Sequence, residues 1–468
     1  METHYIMDKK NLLFIMCDQQ RYDCVGYSGI RPVKTPNIDK IAKNGAWFTN
    51  AYTPIAVCAP ARQALLCGRR PEVFGGLWNF HIIHPVCEVP KDGYVYPRQL
   101  KEGGYNTAFC GKWGISASLL PDSYGFDRYV GEGEVYAEMK KNAPDTAISY
   151  PNGFFGDPCP TDLEHSHTHT LARKTNEIIN EFAAQNKPWF VNVDFVEPHL
   201  PYRPSKPFDT MYSPGDVEKW GSFDDEFVGK PYIHKQQVVN WNLEDRSWEE
   251  WSRTVALYYG YVSQYDDAIG RILDNLEANG QLENTLIVYT CDHGDLCGSH
   301  KMIDKHYVTY EDLIHVPFAI RCDGLIKPQI FEGYIHSGLE FAPTVLELLG
   351  LDLPEGVFHG ESLAPALLKG EPWTRDYAVS SYNGQQFGLY SSRAIKIDGY
   401  KYVWNLTDTD EFYDLGADPW ELDNKIREPS HGALIASLRE KLYNELKKCG
   451  DPMVSSWVSD QLLKGRKV

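Results

Sequence analysis

Two apolar segments of this chain stop abruptly on side chains that bind metal ions. Asn11-Leu12-Leu13-Phe14-Ile15-Met16-Cys17 runs into Asp18-Gln19, and Thr285-Leu286-Ile287-Val288-Tyr289-Thr290-Cys291 runs into Asp292-His293-Gly294. Carboxylates and an imidazole are donors for a divalent cation. Two further segments have the same build. Tyr105 to Cys110 ends at Gly111-Lys112, and Trp189 to Val196 ends at Glu197-Pro198-His199. Cys58-Ala59-Pro60-Ala61-Arg62 adds a candidate nucleophile. Taken singly, an Asp after a strand is more often a cap than a ligand. Lys112 alone reads as a solvated turn residue, His199 as a surface loop residue and Cys58 as a structural thiol. Their conjunction points to a metal-assisted hydrolase.

The elements that must position these residues follow from the same pattern. Short apolar runs bounded by polar residues fit buried parallel strands, and ligands in an open α/β sheet gather beyond the carboxyl ends of such strands. Pro36 opens a helix that Asn44-Gly45 closes, and a second helix closes at Gly103-Gly104. Ala46 to Tyr52 reads as one strand. Pro201 to Arg253, rich in Pro, Gly, Asp and Trp, reads as a long excursion over the sheet, and Thr254 to Asn279 as a long helix whose apolar stripe is core. After about Glu371 the character changes. Short strands over 377–381, 390–397, 401–405 and 411–415 precede a helix from Gly432 bearing Leu434, Leu438, Leu442 and Leu446. The predicted fold class is α/β: a mostly parallel sheet flanked by helices over 1–370, then a smaller C-terminal antiparallel sheet plus helix over 371–468.

Among 468 residues, 43% are hydrophobic and 24% charged, which is ordinary for a globular protein that buries a sizeable core. The net charge of −18 argues against nucleic acid and anionic membrane surfaces as partners, and favours a small anionic ester over a long polyanion. Eleven cysteines follow no paired framework, so most read as buried reduced thiols. Residues 1–10 lack the apolar core of a signal peptide. The expectation is a cytoplasmic location for the chain as written, the alternative a periplasmic one after removal of an export signal.

Cys58-Ala59-Pro60-Ala61-Arg62, followed by Leu66-Cys67-Gly68-Arg69, matches a specific signature. The chain resembles the formylglycine-dependent sulfatases of the alkaline phosphatase-like superfamily, together with the related phosphonate monoester hydrolases and choline sulfatases. The resemblance runs from Asn11 through Thr35-Pro36-Asn37, Gly111-Lys112-Trp113, Pro198-His199-Leu200-Pro201, Lys305 and Tyr310-Glu311 to Phe412-Tyr413-Asp414-Leu415. It implies that a formylglycine-generating or sulfatase-maturing enzyme oxidises Cys58 to Cα-formylglycine, whose aldehyde hydrate attacks the ester and then expels sulfate. It implies a metal held by Asp18, Gln19, Asp292, His293 and position 58, with calcium the first choice and manganese or magnesium the alternatives. Arg62 would fix the aldehyde hydrate, and Lys112, His199 and Lys305 would bind the sulfuryl group and protonate the leaving alkoxide. Asn79 matches an Asn that contacts the ester in the phosphonate and choline branches.

The chain departs from the commonest sulfatase pattern in three places. Gln19 stands where many members have Asp, His293 where many have Asn, and Gly114 where many have His. Another base, with His81 and His84 as candidates, must then serve the second step. The leading reading is a sulfatase acting on a sulfated carbohydrate, with Trp78, Trp220, Trp241, Trp248 and Trp251 available either to stack on sugar rings or to fill the core. The alternatives are a phosphonate monoester or phosphodiester hydrolase using the same site, favoured by Gln19, His293 and Asn79, and a catalytically silent binding protein in which Cys58 stays a thiol.

Overall fold

The computed structural model describes residues 9–79, 84–142 and 155–467. An eight-stranded sheet runs through the larger part of the chain. Its strands are β1 (Asn11–Asp18), β2 (Ala46–Phe48), β4 (Asn106–Gly111), β5 (Arg128–Gly131), β6 (Trp189–Pro198), β7 (Thr285–Cys291), β8 (Phe318–Arg321) and β9 (Gln329–Phe331), in the spatial order β5-β4-β6-β1-β7-β8-β2-β9. β1 pairs in parallel with both β6 and β7, and β4 pairs in parallel with β5 and β6. β8 alone runs against its neighbours β7 and β2. Buried on both faces, β1 and β7 read as continuous apolar runs rather than alternating ones.

The order of the strands decides the site. β4, β6, β1 and β7 are consecutive in the sheet, so the four segments that end at Lys112, His199, Asp18 and Asp292 deliver those residues to one edge. Register refines this: Cys17 lies opposite Cys291, Asp18 opposite Pro198 and Gly111 opposite Asp194. Gly111 has a φ of +99°, and a Cβ there would sit 2.0 Å from the Asp194 carbonyl oxygen, so no other residue lets β4 approach β6 at that point.

Helices cover the sheet. The chain contributes α1 (Pro36–Lys43), α2 (Cys58–Cys67), α3 (Tyr96–Glu102), α4 (Glu132–Asn142), α5 (His167–Ala183), α6 (Tyr232–Asn240), α7 (Trp248–Ala278), α8 (Glu311–Ile314), α9 (Ser337–Leu348) and α10 (Ala364–Lys369). α7 begins six residues earlier than the sequence pattern implies. Ser247 and Glu250 form a reciprocal capping box there, a local signal stronger than the apolar stripe that starts further on. The excursion before it is not structureless, because it holds α6. Ala46 to Tyr52 is likewise not one strand: β2 stops at Phe48, and Ala51–Tyr52 (β3) pairs with Ile335–His336 (β10) in a separate two-stranded sheet.

The C-terminal part is a four-stranded antiparallel sheet of β11 (Tyr377–Gly384), β12 (Tyr390–Ile397), β13 (Tyr400–Asn405) and β14 (Glu411–Asp414), followed by α11 (Gly432–Cys449) and α12 (Ser459–Lys464). Val379, Ile395, Tyr402, Trp404 and Phe412 pack on Ile435, Leu438, Leu442 and Leu446 in a core of their own. Burying side chains of this kind contributes roughly 1.5–3 kcal/mol each before chain entropy is counted. This sheet meets the rest of the molecule near the start of α2, where Ser381 bridges to Ile55 and the Ser380 hydroxyl donates to the Thr53 carbonyl at 2.5 Å. No described helix is long and apolar enough to cross a membrane, and all eleven cysteines are free.

Candidate active site

Cys58 occupies the first position of α2, a helix whose ten residues are all buried. The free N–H groups of a helix start favour negative charge. Pro60 has no N–H to leave unsatisfied, and the Ala59 N–H donates to Asn79 Oδ1 at 2.9 Å. Asn79 therefore caps the helix that carries Cys58.

The Cys58 sulfur lies 3.2 Å from His293 Nε2 and 3.7 Å from Asp18 Oδ1. Donor atoms of Asp18, Cys58, Asp292 and His293 all fall within 4.8 Å of one another, and all four residues are buried. His293 Nδ1 faces the Gly294 carbonyl at 2.8 Å, so it carries the hydrogen and Nε2 is the atom turned to the cluster. Burial lowers the His293 pKa, but Asp292 and Cys58 outweigh it and raise the imidazole to about 9. Burial and Asp18 would keep the Cys58 thiol neutral, yet Lys305, Lys112 and His293 bring it well below its usual range. Asp18 is likewise held well below the carboxylate range, because Lys112 and Arg62 overcome its burial. Such a nest of buried acids around an imidazole collects positive charge.

Arg62 supplies some of that charge in a way the motif alone does not reveal. Its Nη2 donates to Asp18 Oδ2 at 2.9 Å, Nη1 to Asp194 Oδ2 at 2.7 Å, and Nε to Asp292 Oδ2 at 3.0 Å. Nη1 also reaches the Lys112 carbonyl at 3.1 Å. A planar guanidinium can span three acids on three adjacent strands, which a lysine cannot. Asp194 is the functional residue that the sequence reading misses. Its signal is an acidic residue inside the apolar run of β6, where an unpaired carboxylate is too costly to bury. Burial pushes Asp194 up to about 7 despite Arg62.

The remaining expected residues converge on the same edge. Lys112 Nζ donates to Asp18 Oδ2 at 2.6 Å. Lys305 Nζ lies 2.9 Å from both Gln19 Oε1 and His199 Nε2. Since His199 Nδ1 faces the Leu200 carbonyl at 2.6 Å, Nε2 accepts from the Lys305 ammonium. Gln19 sits at φ +72°, a conformation costly for a residue with a side chain. Its amide joins Lys305 to Asp295, with Nε2 to Asp295 Oδ2 at 2.8 Å, and its backbone N–H donates to Asp292 Oδ1.

Of the tryptophans and the two candidate bases, three rings are decided and one histidine lies outside the described residues. Trp78, Trp220 and Trp251 are at most 1% exposed, so these rings are core and cannot stack on a sugar. His84 is exposed, and its backbone N–H, not its ring, is tied down, to Gln385. His81 lies outside the described residues.

Residues 10–351 match the family model described as Sulfatase. The chain belongs to the sulfatase family. Residues 298–448 of this sulfatase also match a model described as N-sulphoglucosamine sulphohydrolase, C-terminal. It is similar to an arylsulfatase of Clostridium perfringens, with 27% identity over 94% of each chain. It is also similar to an N-acetylglucosamine-6-O-sulfatase of Bacteroides thetaiotaomicron, with 24% identity over 89% of this chain and 82% of the relative. Among solved structures, the phosphonate monoester hydrolase of Agrobacterium radiobacter shares its fold, with a TM-score of 0.80 at 24% identity over 94% of this chain and 96% of that one. The sulfatase is thus an α/β sulfuric ester hydrolase.

Proposed function

We propose that this sulfatase hydrolyses the sulfate ester of a small sulfated carbohydrate at the edge formed by β4, β6, β1 and β7. The observation that carries the reading is the cluster of Asp18, Cys58, Asp292 and His293 beneath the cations Lys112 and Lys305. The relative that acts on N-acetylglucosamine 6-O-sulfate supports the carbohydrate class. The net charge of −18 supports a small substrate over an extended polyanion.

The donor set fits a divalent cation. Two buried carboxylates converge with an imidazole whose Nε2 faces them. Asp18, Asp292 and His293 would hold the ion, with Gln19 and position 58 as further ligands. Calcium suits the oxygen-rich set, with manganese or magnesium as the alternative. Bound there, such a cation supplies Lewis-acid polarisation of the sulfuryl oxygens. Position 58 also fits modification to formylglycine, because its side chain already points at the metal donors from a helix start. That residue supplies a geminal diol as nucleophile, and a maturing enzyme that reads Cys58, Pro60 and Arg62 would be an obligatory partner.

The chain's own groups have separable tasks. Arg62 keeps Asp18, Asp194 and Asp292 together and their charges compensated. Lys112 and Lys305 place ammonium groups where charge grows on the sulfuryl and bridging oxygens. The Lys305 ammonium is bonded to His199 Nε2, and this pair would supply the proton for the departing alkoxide.

A phosphonate monoester hydrolase is the second reading, supported by Gln19, His293 and Asn79, whereas Lys112 favours sulfate. Two measurements test the function. The mass of the Cys58 peptide from protein made in its own host is expected to show an aldehyde. An intact thiol in active protein would refute the nucleophile. Paired kcat/KM values for an aryl sulfate and the matching aryl phosphonate are expected to favour sulfate, and the reverse order would move the assignment to phosphonate.

A further inference from the structure

Beside His199 lies a cavity of about 130 Å³ between the end of β6, the start of α5 and the middle of α7. It has room for roughly four waters at about 30 Å³ each, or for one edge of a sugar ring but not the whole ring. His167, Glu197, His199, Arg203, Ser205 and Tyr261 line it. None of the metal-binding cluster does.

Three of these lining side chains, each more than nine-tenths buried, carry polar atoms with no partner among the described residues: His167 Nε2, Glu197 Oε2 and Ser205 Oγ. Burying such atoms unsatisfied is costly, and a site that retains several of them in one cavity is built for a polar guest. The pair that holds them is well fixed. His167 Nδ1 donates to Glu197 Oε1 at 2.9 Å, and the Tyr261 hydroxyl donates to the same oxygen at 3.3 Å.

The mixture of groups selects the guest. An anion would sit against the open oxygen of Glu197. A cation would sit against Arg203 and the imidazole, whose pKa is raised by Glu197 in spite of burial. An apolar group would leave every polar atom unsatisfied. A hydroxyl both donates and accepts, and two neighbouring ring hydroxyls can serve a carboxylate, an imidazole and a serine together. We propose that this cavity is a hydroxyl-reading subsite for the sugar that carries the sulfate, with Glu197 accepting from one ring hydroxyl and Ser205 and His167 bonding its neighbour. The inference rests on the carbohydrate sulfatase reading above, and it makes Glu197, Ser205 and His167 specificity residues with no part in the chemistry. A site built to bond a hydroxyl discriminates strongly against a substrate that lacks it.

The test compares matured, metal-loaded wild-type protein with Glu197→Gln and Ser205→Ala. The substrates are 4-nitrophenyl sulfate and monosulfates of galactose and N-acetylglucosamine. For the best sugar sulfate, each variant is expected to lower the ratio of its kcat/KM to that of 4-nitrophenyl sulfate at least tenfold, mainly through KM. Equal losses on both substrates would overturn the subsite and leave these residues as supports for His199. An unchanged ratio would overturn it as well. Should no sulfate ester turn over, the sulfatase reading fails separately, and saturation-transfer NMR with unsulfated galactose and N-acetylglucosamine still reads the cavity. A transfer signal seen with wild type and abolished by both substitutions supports the subsite. A signal missing from wild type, or equally strong in the variants, refutes it. Thermal melts of both variants within a few degrees of wild type guard against global unfolding.

Discussion

Replacing Arg62 with methionine removes a guanidinium and leaves Asp18, Asp194 and Asp292 facing an apolar side chain of similar length. All four side chains are essentially inaccessible to solvent, at 0% or 1% exposure. Three hydrogen bonds between charged groups disappear, at about 1.5 kcal/mol each by the lower bound for such bonds. Their sum, roughly 4–5 kcal/mol, agrees with the loss of about 3–5 kcal/mol when one partner of a buried pair is removed. The assay is urea unfolding of protein carrying the unmodified Cys58 thiol in the presence of a chelator, so that neither metal nor maturation enters. Arg62→Met is expected to lose about 3–5 kcal/mol, and Arg62→Lys less, because one ammonium reaches at most two of the three acids. A divalent cation restores positive charge to the same acids, so saturating metal is expected to recover more stability in Arg62→Met than in wild type. A loss under about 1 kcal/mol in chelator would refute the view of Arg62 as the organiser of the acids. So would equal metal stabilisation of both proteins.

The other predictions concern the absent histidine, the proton donor and acid stability. Gly114 has a φ of +51°, and a Cβ there meets Arg62 Cδ at 3.1 Å, so Gly114→His is expected to lower rather than raise kcat on an aryl sulfate. A large gain would show that the site lacks a base which a histidine can supply. Lys305→Met is expected to reduce kcat by about 10²–10³-fold, as for loss of one preorganised donor, and more for a sugar sulfate than for 4-nitrophenyl sulfate, whose leaving group needs no proton. Equal losses across leaving groups would move the proton source elsewhere. Burial pushes His336 down to about 4, and its Nε2 accepts from the Val379 N–H at 2.8 Å. Between pH 6.5 and 4 the unfolded chain therefore binds a proton that the fold refuses, and stability falls as pH falls through that window at about 1.4 kcal/mol per pH unit. His336→Gln keeps an acceptor but does not titrate. The stability difference between the two proteins, read from urea unfolding at pH 6.5 and 4.5, is expected to change by about 2 kcal/mol in favour of the variant at the lower pH. A constant difference would refute the assignment.

Much of this protein is written locally. The four strand endings, the helix starts at Pro36 and Gly432 and the short C-terminal strands follow from runs of apolar residues and from turn and cap residues a few positions apart, interactions that act within one element. The Cys58 motif is local too, and with it the family. Local pattern misplaces the start of α7, where a capping box overrides the apolar stripe, and merges β2 with β3, which pair with different partners. What the sequence by itself determined is the set of side chains and the strand or helix that carries each. Only the tertiary structure decided that β4, β6, β1 and β7 lie side by side, since pairing between segments up to hundreds of residues apart leaves no periodic trace in any one of them. That adjacency brings Asp194 into Arg62's reach, and packing between distant segments consigns Trp78, Trp220 and Trp251 to the core. It also leaves unpaired polar atoms on His167, Glu197 and Ser205, which line one cavity, because satisfaction of a buried polar atom depends on neighbours that the chain supplies from elsewhere.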